Sequence, residues 1–210
     1  DRALRTMAAE WKTVSKGTVT VKIYAGGIAG DEFDMVRKSR LGQLDIVGLS
    51  GVALGKIVPD ILACQTPMTF ENDQEFSMAF DSLKPEYGKM LEEKGYIVLM
   101  WTKIGWTRFF SRYPVVTVDD LRKQKLFIWG GDPSGMQVYK GIGFRPVALS
   151  SSELLTALQS GMVDAFQATP LSAASYQWFG IANNMCTMQW SPLLGAVIMT
   201  KKSWERIDAD

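Results

Sequence analysis

Pro146-Val147-Ala148-Leu149-Ser150-Ser151-Ser152-Glu153-Leu154-Leu155-Thr156-Ala157-Leu158-Gln159-Ser160-Gly161-Met162-Val163-Asp164-Ala165-Phe166 reads as a strand, a capped amphipathic helix, a glycine stop and a second strand. Ser150 stands three residues before Glu153, the spacing at which the serine oxygen accepts from the Glu153 amide while the carboxylate reaches back to the helix start. Leu154, Leu155 and Leu158 then share one face, and Gly161 can take the left-handed conformation that ends the helix. Folding logic alone accounts for each of these residues. The information lies in the repetition, because a similar unit occurs about 120 residues earlier. Its strand is Val19-Thr20-Val21-Lys22-Ile23-Tyr24, its helix starts at Asp31-Glu32-Phe33-Asp34-Met35-Val36, and Gly42-Gln43-Leu44-Asp45-Ile46-Val47 restarts as a strand. Two such units predict an α/β protein of two like-built lobes with a cleft between them, the natural place for a ligand.

Composition narrows the function. The 210 residues are 47% hydrophobic and 21% charged, enough for one large or two small cores and without the bias of a disordered tract. The formal charge of +1 comes from basic and acidic residues scattered along the chain, which leaves no footprint for nucleic acid or an anionic membrane. Histidine is absent. With it go the usual general base, the commonest metal ligand and the Ser-His-Asp and Cys-His arrangements, so a binding protein is favoured over an enzyme, with no metal and no cofactor. Cys64 and Cys186 are too few for a disulfide framework or a zinc site; they could pair or stand as buried small hydrophobes. No stretch has the ~20 apolar residues needed to span a bilayer, and the chain opens on an amphipathic helix (Leu4, Met7, Ala8, Trp11, Val14) stopped by Gly17, as a mature or trimmed protein would.

Along the chain, the loop Ala25-Gly26-Gly27-Ile28-Ala29-Gly30 looks like a nucleotide loop but lacks the following Lys-Ser/Thr or the third glycine. Leu44 to Leu49 reads as a buried strand ending at Ser50-Gly51, where small residues let a ligand or another backbone approach. Asn72 to Lys94 reads as a helix broken near Pro85. Tyr96 to Trp101 is a buried strand, and Gly105-Trp106-Thr107-Arg108-Phe109-Phe110-Ser111 extends it beyond one lobe as a first crossing. Thr117 to Leu121 is a short capped turn before the strand Lys125-Leu126-Phe127-Ile128-Trp129. Gly130-Gly131-Asp132-Pro133 opens another helix, with Asp132 as N-cap and free amides able to receive an anionic or carbonyl oxygen. Pro170 to Phe179 looks helical, and Met188 to Thr200, carrying Trp190, reads as the second crossing. Two crossings between two α/β lobes describe a hinged binding protein, with lobe I at 1–103 and 188–210 and lobe II at 104–187.

The ordered set Lys22-Ile23-Tyr24, Gly30-Asp31-Glu32, Gly42-Gln43-Leu44-Asp45, Pro67, Gly95, Arg108-Phe109, Pro114-Val115, Asp120-Leu121 with Lys125, Gly143-Phe144-Arg145-Pro146-Val147, Glu153 and Leu158 to Asp164 resembles the DctP-type substrate-binding proteins of tripartite ATP-independent periplasmic (TRAP) transporters. The resemblance spans nearly the whole chain. It implies a periplasmic receptor of periplasmic-binding-protein-like, type II-like fold, with a hinge and an interlobe cleft, that closes over one small molecule and hands it to a membrane permease. It also implies that the chain lacks the family's first strand and C-terminal helices.

Where the family's binders of organic acids carry an arginine that pairs bidentately with the ligand carboxylate, this chain has Phe127. Where they tend to have an asparagine before a proline, it has Gln167-Ala168-Thr169-Pro170. Arg108 lies close to a second arginine that many members direct toward the ligand. Aromatic residues crowd the crossing and cleft strands, and Trp106, Phe127, Trp129 and Trp190 are the expected walls of the pocket. Ser50, Gly51, Arg108, Asp132, Gln167 and Thr169 are the expected polar or close-approach positions. The expected ligand is a hydrophobic or weakly polar small molecule, or a monocarboxylate with an apolar body. Two rivals are a two-lobed α/β enzyme using cleft carboxylates, recognisable by turnover of a bound metabolite, and an effector-sensing domain, which would need a DNA-binding helix-turn-helix.

Overall fold

The computed structural model describes residues 2–25, 27–130 and 132–207. Gly26 and Gly131, in the two glycine loops singled out above, lie outside the described residues. The chain opens with α1 (Arg2–Val14) and continues with α2 (Glu32–Arg40), β1 (Ile46–Ser50), α3 (Gly51–Leu54), a 3₁₀ helix (Pro59–Gln65) and the long α4 (Asp73–Glu93). Strand β2 (Tyr96–Ser111) leads through α5 (Val118–Arg122) to β3 (Lys125–Trp129), α6 (Pro133–Gly141) and β4 (Arg145–Leu149). The repeat unit then gives α7 (Leu154–Ser160) and β5 (Ala165–Ala168), followed by α8 (Pro170–Ser175), β6 (Asn184–Met185), β7 (Ser191–Thr200) and α9 (Lys201–Trp204).

One path of strands, β1-β7-β2-β5-β3-β4, runs through the molecule, with β6 pairing β2 off that path. Strand β2 belongs to both halves. From Tyr96 to Thr107 it pairs antiparallel with β7, and from Arg108 to Ser111 with β5. Register shifts between Val98 and Met100 and between Lys103 and Gly105 bend it on the way, and Gly105 takes φ 118° at the second. The two expected crossings are therefore hydrogen-bonded to each other as β2 and β7.

Packing divides at this junction. In lobe I, α2, α3 and α4 cover one face of the β1-β7-β2 sheet, burying Val47, Leu49, Leu194, Ala196 and Ile198 with Leu54, Ile61 and Leu91. Phe76 and Phe80 of α4 stack at 5.7 Å and meet Trp106 and Trp101 edge-on. The opposite face carries the row Gly48, Val197 and Met100, the last 53% exposed. In lobe II both faces are covered. Phe110, Phe127, Phe166 and Ala168 pack with Leu154, Leu158 and Trp178, while Phe109, Leu126 and Ala165 pack on the other side with Leu121 and Trp190.

The second copy of the repeat is built as its residues dictate. Ser150 and Glu153 form the reciprocal cap, Leu154 and Leu158 are buried, and Gly161 takes φ 70°. Three expectations need correction. The segment Val19–Tyr24 alternates half-buried and exposed residues but forms no strand, because no neighbour among the described residues supplies a ladder for its amides and carbonyls. Helix α4 runs unbroken through Pro85, whose exposed position leaves the carbonyl one turn back to water. In the second copy the strand begins at Ala165 rather than Met162. Cys64 is buried in the lobe I core with its sulfur 3.4 Å from the Tyr87 hydroxyl, Cys186 packs in lobe II, and both are free thiols. Among the described residues no helix is long and apolar enough to cross a membrane.

Candidate functional site

The register fixes where the strand ends point. Ile46 of β1 lies opposite Met199 and Ser50 opposite Gly195, while β7 reaches lobe II at its other end, where Ser191 pairs Thr107. Strand β1 therefore runs toward lobe II. In β5, Ala165 lies opposite Ser111 and Ala168 opposite Arg108, so β5 runs toward lobe I; β3 is parallel to β5, and β4 to β3. The carboxyl ends of β1, β3, β4 and β5 thus face one another across the segment of β2 and β7 that joins the sheets. Ligands of open α/β sheets lie at such strand ends.

Lobe I contributes Ser50 and Gly51 at the end of β1. Ser50 is half-buried, and its amide and hydroxyl both donate to Glu32, the first residue of α2; the hydroxyl to Oε2 distance is 2.5 Å, and the amide is 3.2 Å from each carboxylate oxygen. Burial pushes the Glu32 carboxyl above its ordinary range, the two Ser50 bonds act against that, and the neighbouring Asp31 adds to it. Gly51 is a true close approach. A Cβ there would sit 2.5 Å from Oε1 of Gln65, the atom that accepts from the Leu194 amide at 3.1 Å on the crossing strand.

The crossing itself carries a polar knot. The Thr107 hydroxyl donates to the Ser191 carbonyl at 3.0 Å and lies 3.0 Å from the Ser191 hydroxyl, and Gln167 of β5 donates its side-chain amide to the Thr107 oxygen at 2.8 Å. Thr169, 1% exposed, caps α8 by accepting from the Ser172 amide, and its methyl lies 4.0 Å from where a Cβ on Gly105 would be. On the lobe II side, Trp129 is half-buried at the end of β3, and Asp132 caps α6 by accepting from the Gly135 amide at 3.1 Å.

Of the residues expected from the sequence, Ser50 and Gly51 stand at the carboxyl end of β1, Trp129 and Asp132 at that of β3, and Gln167 and Thr169 at that of β5. Trp106 does not line the cleft: it is 7% exposed in the lobe I core, with its indole nitrogen donating to Asp73 at 2.5 Å. Phe127 is 5% exposed in the lobe II core and meets Trp129 edge-on at 5.6 Å. Trp190 packs on Phe109, on the opposite face of the lobe II sheet from Phe127. One nitrogen of Arg108 donates to the carbonyls of Thr187 and Cys186, along the edge of β2 away from β5. Glu32, Gln65, Thr107 and Ser191 were not expected at the site. Glu32 reads in sequence as an ordinary acidic residue in a first helical turn, and no local signal links it to Ser50. Among the described residues no group of acidic residues or cysteines is arranged to hold a metal ion.

The profile of the bacterial extracellular solute-binding proteins of family 7, DctP, matches residues 1–210. A solute-binding protein of Sulfitobacter sp. strain NAS-14.1 is 25% identical over 197 residues, 92% of this chain and 59% of the relative. Among solved structures, a TRAP periplasmic solute-binding protein of Chromohalobacter salexigens with bound D-glucuronate superposes with a TM-score of 0.88 at 25% identity, covering 99% of this chain and 69% of the other. One from Sulfitobacter sp. NAS-14.1 with bound β-D-galacturonate gives a TM-score of 0.89 at 22% identity, covering 99% and 70%. The chain spans about 60% of the length of the curated relatives it matches.

Proposed function

We propose the following role for this chain, which belongs to the DctP family of bacterial extracellular solute-binding proteins: it is the periplasmic receptor of a TRAP transporter, closing its two lobes on one small organic molecule and presenting it to a membrane permease, with the lobe boundary on the crossing strands beyond Trp106 and at Trp190 rather than at 104 and 188. The observation that carries this reading is the convergence of β1, β3, β4 and β5, by their carboxyl ends, on a cleft bridged by β2 and β7. Such a cleft offers opposed walls that can be separated and rejoined, and a ligand touching both selects the closed form. Nothing in this role requires turnover, and the absence of histidine agrees with it.

Recognition in this chain rests on Ser50 and Gln167 for orientation and on Trp129 for apolar contact, with the buried Thr169 fixing the start of α8 beside them. A carboxylate-clamping arginine is not part of it, because Phe127 stands in that place and Arg108 is turned to the backbone of Cys186 and Thr187. The test is release and identification of small molecules from the purified protein by mass spectrometry, followed by small-angle scattering with and without the compound found. A one-to-one complex with a smaller radius of gyration than the free protein supports the receptor. Chemical conversion of the compound, or binding with no change in dimensions, would refute it.

A further inference from the structure

Glu32 is the feature of the cleft that receptor function alone does not explain. Its carboxylate is held against Ser50 at the end of β1, taken out of water, and no lysine or arginine among the described residues comes within ion-pair distance of it. The lysines of this part of lobe I are engaged elsewhere: Lys38 donates to the Ala29 carbonyl at 2.6 Å, and the Lys56 ammonium stands 5.4 Å above the Phe33 ring. Oε2 receives the short Ser50 hydroxyl bond, whereas Oε1 receives only a shared amide at 3.2 Å and keeps acceptor capacity. Asp31 beside it, and Asp132 at the end of β3, carry the same sign, each occupied with one amide of its own helix. A half-desolvated carboxylate with a spare acceptor and no protein counter-ion gains most from a cation brought by the ligand.

We propose that Glu32 determines specificity in this receptor by pairing with a positively charged nitrogen of the ligand, so that the transported molecule is an amine, amidine or quaternary ammonium compound rather than a simple organic acid. The inference rests on the receptor reading above. It accounts together for the absence of an arginine at position 127, the engagement of Arg108 with the backbone of Thr187 and Cys186, and the carboxylate at the end of β1, since arginines facing the ligand would repel a cation and the carboxylate would hold it.

The experiment is a thermal-shift and calorimetry panel on the protein and its Glu32→Gln variant, with agmatine, choline, glycine betaine and D-glucosamine set against D-glucose, D-glucuronate and benzoate. Any metabolite released from the purified protein joins the panel. Glutamine keeps the size and one acceptor for Ser50, so the variant should fold. The expected result is a stabilising compound bearing a cationic nitrogen whose affinity falls at least ~10-fold in the variant, and by a similar factor when that nitrogen is acylated or removed. A best binder without a cationic nitrogen overturns the inference and leaves the receptor reading standing, as does a cationic binder held equally well by the variant. Failure of every compound, with no metabolite released, overturns both. If Glu32→Gln does not fold, Glu32→Asp, which keeps the charge and withdraws it by one methylene, takes its place and must lower affinity for the cationic compound while leaving that for neutral compounds unchanged.

Discussion

Lobe I and lobe II start from the same sequence unit and end differently. In lobe II the strand Arg145–Leu149 is laddered residue for residue on β3, and helices close both faces of its sheet. In lobe I the counterpart Val19–Tyr24 keeps the alternation but has no ladder, α1 before it buries no residue, and one face of the sheet stays open. The difference teaches that alternation fixes only which side chains turn inward, while strand status depends on a neighbour to receive the backbone bonds.

The comparison breaks most readily at its strong side. Leu158→Ala, at a fully buried position of lobe II, should cost about 2–5 kcal/mol in urea unfolding, whereas Leu4→Ala on α1 should stay within about 0.5 kcal/mol. Equal losses would show that α1 is packed as firmly as α7. The two helix-ending glycines come next. Gly161→Ala should cost about 1 kcal/mol, because φ 70° is strained for any residue with a Cβ and α7 is locked in a core. Gly17→Ala, at φ 89°, should cost less, since α1 can fray without uncovering buried surface.

The third test sharpens the contrast at the cleft. A carboxyl whose folded pKa is raised contributes stability below its ordinary value of 4.5 and loses it as pH rises through the folded pKa. Glu32→Gln should therefore raise the Tm slightly at pH 7 and not at pH 4, while weakening ligand binding. A lower Tm at pH 7 would make Glu32 a structural cap. The smallest effect is at Thr107→Val: Gln167 loses an acceptor in the knot at the crossing, at about 1 kcal/mol, and the loss should appear in both lobes' unfolding at once.

Much of lobe II was legible because its signals are local. Ser150 and Glu153, Gly161, and Asp132 with Pro133 each act within one helical turn. The long crossing was legible too, from the β-formers on either side of Gly105. Which way its aromatic side chains face was not. Trp101 and Trp106, five residues apart, would fall on opposite faces of a regular strand, yet both pack into lobe I, because the register shift between Lys103 and Gly105 reverses the alternation. Trp106, expected as an aromatic wall, is buried in lobe I for that reason, while Trp190, just before β7, packs on Phe109. Glu32 and Gln65 were hidden for another: their partners Ser50 and Leu194 lie 18 and 129 residues away, and no periodicity encodes such contacts.

Strand β2 continues through both sheets for 16 residues, at ~3.3 Å each a span of about 50 Å. A joint made this way behaves as a leaf spring. It resists sliding, since that would shear a row of backbone bonds to β7, and it yields to torsion, which strands accommodate by changing their twist. Gly105, at φ 118° beside the register shift, is the soft spot in the leaf. A change in the angle between the two sheets would then be an elastic deflection of β2, met by a restoring torque from the twist its bonds to β7 hold.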